Sequence, residues 1–195
     1  MRKKINSEAG FSLVELMVVV GIMALLGLML TTGMRMALRT YQTVVAQSEV
    51  ELLLSTVVDT LADDLRYAWD FKEGEGVERE NVKAQFSYCS DSFGDGTYLD
   101  LDGSGQIVAK NSDSPEGWRV LPTGAYGSKA AYMSYEVTDL KIIPNADPAT
   151  REITFTICLT VAGSTPDGTI VSASTPKDED GNDLGVTVRC LNPMK

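Results

Sequence analysis

G-F-S-L-V-E-L-M-V-V-V-G-I-M-A-L-L-G-L-M-L-T-T-G-M, residues 10–34, is an apolar run interrupted by one carboxylate, Glu15, near its start. As an α-helix, residues 11–34 would measure roughly 36 Å at 1.5 Å per residue. That is enough to cross a hydrocarbon core of about 30 Å with room for tilt. A carboxylate in such a helix costs on the order of 2.5–3.5 kcal/mol at the centre and less near the interface. Glu15 therefore needs a proton or a cation beside it. An ordinary secretory signal fits poorly, because the apolar stretch is too long for a signal core and the candidate cleavage point, Gly10, precedes it. Arg2, Lys3 and Lys4 place the amino terminus in the cytoplasm, although Arg35 and Arg39 at the far end thin that bias.

Outward from this run the helical pattern continues. Leu38, Tyr41 and Val45, then Leu54, Val58, Leu61, Leu65 and Ala68, recur at three- and four-residue spacing. Arg39, Gln42, Glu49, Asp59, Asp63 and Arg66 fall on the opposite face. Residues 11–69 as one rod would span roughly 90 Å. The rod is expected to end near Trp69–Lys72, because E-G-E-G at Glu73–Gly76 is a breaker cluster. The period then changes to two, with candidate strands at Ala84–Cys89, Thr97–Leu101, Gln106–Lys110, Ala131–Val137, Arg151–Val161, Thr169–Ala173 and Gly185–Leu191. Pro115, Pro122, Pro144, Pro148, Pro166 and Pro176 are assigned to turns, and Thr175–Asp183 to a mobile charged loop or hairpin tip. The expected fold class is α+β: a long helix whose second half (35–72) packs on an antiparallel sheet domain (73–195).

Composition narrows the function. The 195 residues carry 27 acids against 17 bases and no histidine, a net charge of −10. Removing residues 1–10 would take away three bases and one acid, making the remainder more acidic. A nucleic-acid partner is excluded by charge, since phosphate binding needs clustered Lys and Arg. Without histidine, a phosphate-binding loop or a nucleophile elbow, nothing points to an enzyme. Asp63 and Asp64 diverge around the helix and read as surface charges.

The sequence G-F-S-L-V-E at Gly10–Glu15, the short basic leader and the apolar run together resemble the processing motif of type IV prepilins and type II secretion pseudopilins. The resemblance is specific over residues 1–40. It implies that a prepilin peptidase cuts between Gly10 and Phe11, removing leader 1–10, and methylates the new amine of Phe11. It implies assembly through helix 11–34 into a filament with other pilin subunits, with Glu15 pairing the Phe11 amine of its own or a neighbouring chain. The bacterial cytoplasmic membrane would hold a single-pass precursor, an assembly platform would build it into the fibre, and the product would be extracellular or envelope-spanning. The length and the loop-rich domain point to a minor pilin. A pseudopilin of a secretion or DNA-uptake machine is the alternative, and a membrane-anchored binding domain that never polymerises is the rival from another class. The proline common in the family's apolar helix is missing here, where Thr32 and Gly33 stand. Gly21, Gly27 and Gly33 are read as places for close helix packing.

Two further constellations stand out. D-L-D-G-S-G-Q-I at Asp100–Ile107 resembles the start of a calcium loop, with oxygen from Asp100, Asp102 and Ser104 and the sharp turn at Gly105. Asn111 stands where the bidentate glutamate is needed, and a plain hairpin turning at Asp102–Gly105 competes. Asp91 and Asp95 could add oxygens, while Asp178, Asp180, Asn182 and Asp183 read as solvated. Of the three cysteines, Cys158 and Cys190 lie in late strands and match the disulfide-bounded region of many type IV pilins. Cys158 alternates with threonines and Cys190 with valines, so the two face differently, and Cys89 competes as partner. A bridge between them would stabilise the domain by roughly 3–4 kcal/mol.

Overall fold

The computed structural model describes residues 12–126, 134–147 and 152–192. One helix, α1, runs Leu13–Tyr67. By its contacts the chain forms two units, residues 1–42 and 43–195. In the first unit every described residue from 12 to 41 is exposed, and α1 has one stretch long and apolar enough to cross a membrane. Two of its hydroxyls are satisfied locally: Thr31 Oγ1 donates to Gly27 O (2.7 Å) and Thr32 Oγ1 to Leu28 O (3.0 Å). A hydroxyl bonded back to its own helix needs no water, which suits apolar surroundings.

In the second unit, α1 buries Ala46, Val50, Leu53, Val57, Val58, Leu61, Ala62 and Leu65. Leu61 and Leu65 are fully buried, each contributing roughly 1.5–3 kcal/mol. From residue 58 on, the buried stripe is the expected one, with Val58, Leu61, Leu65 and Ala68 all buried, while further back Ala46, Val50, Leu53 and Val57 are buried beside the expected positions. Leu38 and Tyr41 are exposed, because the sheet begins to cover the helix only from Ala46. Opposite the stripe stand Phe86, Tyr88, Leu140, Ile142, Phe155, Ile157 and Leu159. Phe71, Phe86, Tyr88 and Phe155 form a ring cluster with centroids 5.1–6.4 Å apart, the offset spacing aromatic pairs prefer.

Nine strands form one sheet among the described residues: β1 (Trp69–Arg79), β2 (Val82–Ser90), β3 (Gly94–Leu101), β4 (Ile107–Lys110), β5 (Trp118–Arg119), β6 (Ser134–Asp147), β7 (Glu152–Ser164), β8 (Ile170–Ser174) and β9 (Val186–Arg189). A 3₁₀ turn covers Thr123–Tyr126. The order is β5-β4-β3-β2-β6-β7-β8, with β1 on β2 and β9 on β7. All pairings are antiparallel except β2 with β6, parallel at Val82–Leu140 and Lys83–Lys141. The α+β reading holds, with this one parallel contact added. Along β7 the expected alternation is found, Ile153, Phe155, Ile157, Leu159 and Val161 all being buried.

The main departure follows the helix. α1 stops at Tyr67, and E-G-E-G is not a loop but the middle of β1, irregular in register between Glu73 and Val77. A Cβ on Gly76 would sit 2.1 Å from Ala84 O. The glycine thus marks close backbone approach within a strand, not a chain break. Pro144 also lies in a strand, β6, opposite Phe155. It sits beyond the short contact with β2, on a stretch with β7 as its one neighbour among the described residues, where proline is tolerated. Pro148 and residues 131–133 of a candidate strand fall outside the described residues.

The end of α1 is capped by the far end of the chain. Leu191 N donates to Arg66 O (2.8 Å), Asn192 Nδ2 to Tyr67 O (2.7 Å), and the Cys190 thiol to Ala68 O (3.3 Å). These donors take up carbonyls that a helix terminus otherwise leaves unpaired.

Candidate functional site

The first turn of α1 is closed by two reciprocal hydrogen bonds. Ser12 Oγ accepts from Val14 N (3.2 Å), and Glu15 Oε2 accepts from the Ser12 amide (3.1 Å). Leu16 N donates to Ser12 O (3.2 Å), which makes Ser12 the residue that starts the helix. This is a capping box, the S-x-x-E pattern in which serine and glutamate each satisfy a backbone donor. The signal was legible in S-L-V-E, but Glu15 was weighed only as a charge in apolar surroundings. Gly10 and Phe11, the expected cleavage and methylation positions, lie outside the described residues. Nothing lies within 4 Å of a Cβ built on Gly21, Gly27 or Gly33, so these three leave open space along the helix.

Residues 5–31 match the family model described as the prokaryotic N-terminal methylation motif. The match supports the resemblance of this amino terminus to those of type IV pilins and pseudopilins. The match covers that terminus alone, and no curated protein and no solved structure matches the chain. Such a motif implies processing by a prepilin peptidase and assembly with other subunits, and with the apolar helix it is consistent with a membrane-anchored precursor.

The remaining predicted residues of this pilin-like chain have other tasks. Asp100, on β3, is buried, with its carboxylate held by the Arg79 guanidinium and by Lys110 Nζ (2.8 Å) and also accepting from Leu101 N (2.7 Å). Asp102 Oδ1 accepts from Ser104 N (2.7 Å) and Gln106 N (2.9 Å), and Gly105 N donates to Asp102 O (3.1 Å). Asp100, Asp102 and Ser104 thus build the β3–β4 hairpin. The Asp100 carboxylate is thus already paired with two cations, and Asp102 Oδ1 caps its own turn. Among the described residues no three acids or cysteines are grouped to hold a metal.

The expected Cys158–Cys190 bridge is not formed, and all three cysteines are free and buried. Register gives the reason. Cys190 N donates to Ile153 O (2.9 Å), while Ile157 pairs with Val186, which sets Cys158 beside Gly185. The offset along β7 from Ile153 to Cys158 is roughly 17 Å at about 3.4 Å per residue, whereas a disulfide needs Cα atoms within about 7 Å. A Cβ on Gly185 would lie 2.7 Å from Cys158 Sγ, so glycine makes room for the thiol. Cys89 Sγ faces Asp70 Oδ2 at 4.0 Å. Burial pushes all three thiols upward in pKa, away from the thiolate.

One acidic residue differs from expectation. Asp64 is an anchor: its carboxylate accepts from the Tyr88 hydroxyl and from Ser90 Oγ, both at 2.6 Å, tying α1 to β2. Asp63 by contrast is exposed, with Arg66 at 3.3 Å. The charged segment Thr175–Asp183 folds as a hairpin tip, Asp178 Oδ1 accepting from Asp180 N (3.0 Å) and Asn182 N (2.7 Å). Lys177 and Asp183 bridge its base.

Proposed function

We propose that this chain is a filament subunit, a minor pilin, cut between Gly10 and Phe11 by a prepilin peptidase and N-methylated on Phe11. Helix 11–34 carries assembly, and Glu15 pairs the freed Phe11 amine. The methylation motif over residues 5–31 is the observation that carries this reading. An exposed apolar helix face supports it, since that face must find lipid before assembly and neighbouring helices after it. Burying an unpaired carboxylate is costly, so pairing Glu15 with the new ammonium would disfavour a subunit docked out of register. Electron microscopy of sheared filaments labelled for the 43–195 domain tests the proposal. Label along or at the tip of filaments is expected; label confined to cell membranes, with none on filaments, overturns it.

One observation favours a second reading. A bridged Cys158–Cys190 would have matched the disulfide-bounded region of many pilins, and the free thiols remove that argument. A pseudopilin of a secretion or DNA-uptake machine then stands closer to the minor pilin, and label restricted to a short envelope-spanning fibre would select it.

A further inference from the structure

We propose that an apolar groove beside the second half of α1 docks residues 34–41 of a second copy of this chain. The inference rests on the filament reading, for which it supplies one contact between neighbours. The groove lies within residues 43–195 and has a volume of about 290 Å³. Leu54 and Val58, one turn apart on α1, line it with Pro176, past β8, and Val186, at the start of β9. Glu51 and Asp59 stand on its helix side. Their donors are neutral: Gln47 Nε2 gives to Glu51 Oε1 (2.9 Å) and Ser55 Oγ to Asp59 Oδ2 (3.5 Å). Among the described residues neither carboxylate has a basic partner. Lys177, next to Pro176, is held by Asp183 at 3.6 Å. The groove thus offers an apolar floor and two negative charges awaiting a base.

The matching surface is in the same chain. Met34, Leu38 and Tyr41, spaced to share one face of α1, are each more than half exposed. They stand just past the stretch that covers a hydrocarbon core of about 30 Å. Clear of lipid, such an apolar face calls for a protein partner. Between Glu15 and Glu49 the chain has two charged residues, Arg35 and Arg39, both basic, whereas residues 49–65 hold five acids and no base. Arg35 of one copy meets Glu51 of the next. Complementary charge fixes partner and register, and burial of the apolar face supplies the adhesion. Patch and groove are different surfaces, so each docked copy leaves one of each open for another. One neighbouring copy is enough, whatever the subunit's abundance.

The test is cross-linking in sheared filaments assembled from two tagged forms of the full-length chain. One form carries Leu38→Cys; the other carries Ser55→Cys at the groove or Asp63→Cys on another side of α1. A short bismaleimide joins exposed thiols, and wild type, whose three cysteines are buried, is the control. A Leu38–Ser55 product well above the Leu38–Asp63 product is expected. Arg35→Glu or Glu51→Arg alone lowers it about tenfold, the effect of one misplaced like charge, and the two together restore it. Filaments that form without a Leu38–Ser55 product overturn the proposal and leave the filament reading standing. So does a paired reversal as defective as either single, a Leu38–Asp63 product of equal yield, or a product joining Ser55 only to a different protein. If no filaments form, the filament reading falls and this inference with it.

Discussion

Replacing Asp64 with alanine removes the one acceptor shown for two buried hydroxyls. Tyr88 is fully buried and Ser90 nearly so, and each donates to Asp64 at 2.6 Å. An unsatisfied buried donor costs about 1–3 kcal/mol. Asp64 is itself only half-buried, so water can repair part of the loss, and a total of about 2–4 kcal/mol is expected. For a chain of this size that lowers Tm by about 5–15 °C. Tyr88→Phe removes the donor instead of the acceptor and is expected to cost about 1 kcal/mol. Thermal unfolding of the full chain in micelles, run as a double-mutant cycle, measures both values and their coupling. The pH dependence gives a second reading. Burial, and then the Asp64 carboxylate, hold the Tyr88 phenol well above its ordinary value of 10.0. Above about pH 10 the unfolded chain releases this proton and the folded one keeps it. The stabilisation is thus whole below pH 10 and is lost as pH rises beyond it. Burial also raises Tyr126 and Tyr135, so Tyr88→Phe should flatten the alkaline fall without abolishing it. An Asp64→Ala chain within about 0.5 kcal/mol of wild type, below the range for a stranded buried donor, or an alkaline slope unchanged in Tyr88→Phe, would refute the reasoning.

Asp100→Asn keeps an oxygen for the Leu101 amide but removes the counter-charge of Lys110, while the half-exposed Arg79 keeps its bond to Leu101 O. A loss of about 2 kcal/mol is expected by thermal unfolding, less than for a fully buried pair, and millimolar calcium or chelator should leave wild-type Tm unmoved. Thiol titration of the purified chain after denaturation without reductant should find Cys89, Cys158 and Cys190 all reactive. A peptide cross-linked through Cys158 and Cys190 would contradict the β7–β9 register.

Much of this fold could be read because side-chain periodicity is a local property. The alternation at Ile153–Val161 and the turn at Asp102–Gly105 depend on neighbours in sequence, and both stand where expected. What escaped depends on partners distant in the chain. The helix stripe was legible at Val58, Leu61, Leu65 and Ala68 but not at its start, because only the sheet decides where cover begins, at Ala46. β1 was hidden because glycine reads as a breaker, until Ala84 is seen pressing on Gly76. The cysteines were paired by strand membership, although their alternation with threonines on one side and valines on the other already set them on different faces. At the amino terminus the charge of Glu15 was legible and its hydrogen-bonding role, also written in S-L-V-E, was passed over. Asp64 looked like any surface acid, since Tyr88 and Ser90 lie on another element.

The measurement that bears most directly on the account is the mass and sequence of the chain's amino terminus after expression in a host with a prepilin peptidase. A chain beginning at methylated Phe11 is the expected result. One that retains Met1 through Gly10 in a peptidase-competent host would contradict it, leaving an anchored domain whose Glu15 caps a helix and pairs with nothing.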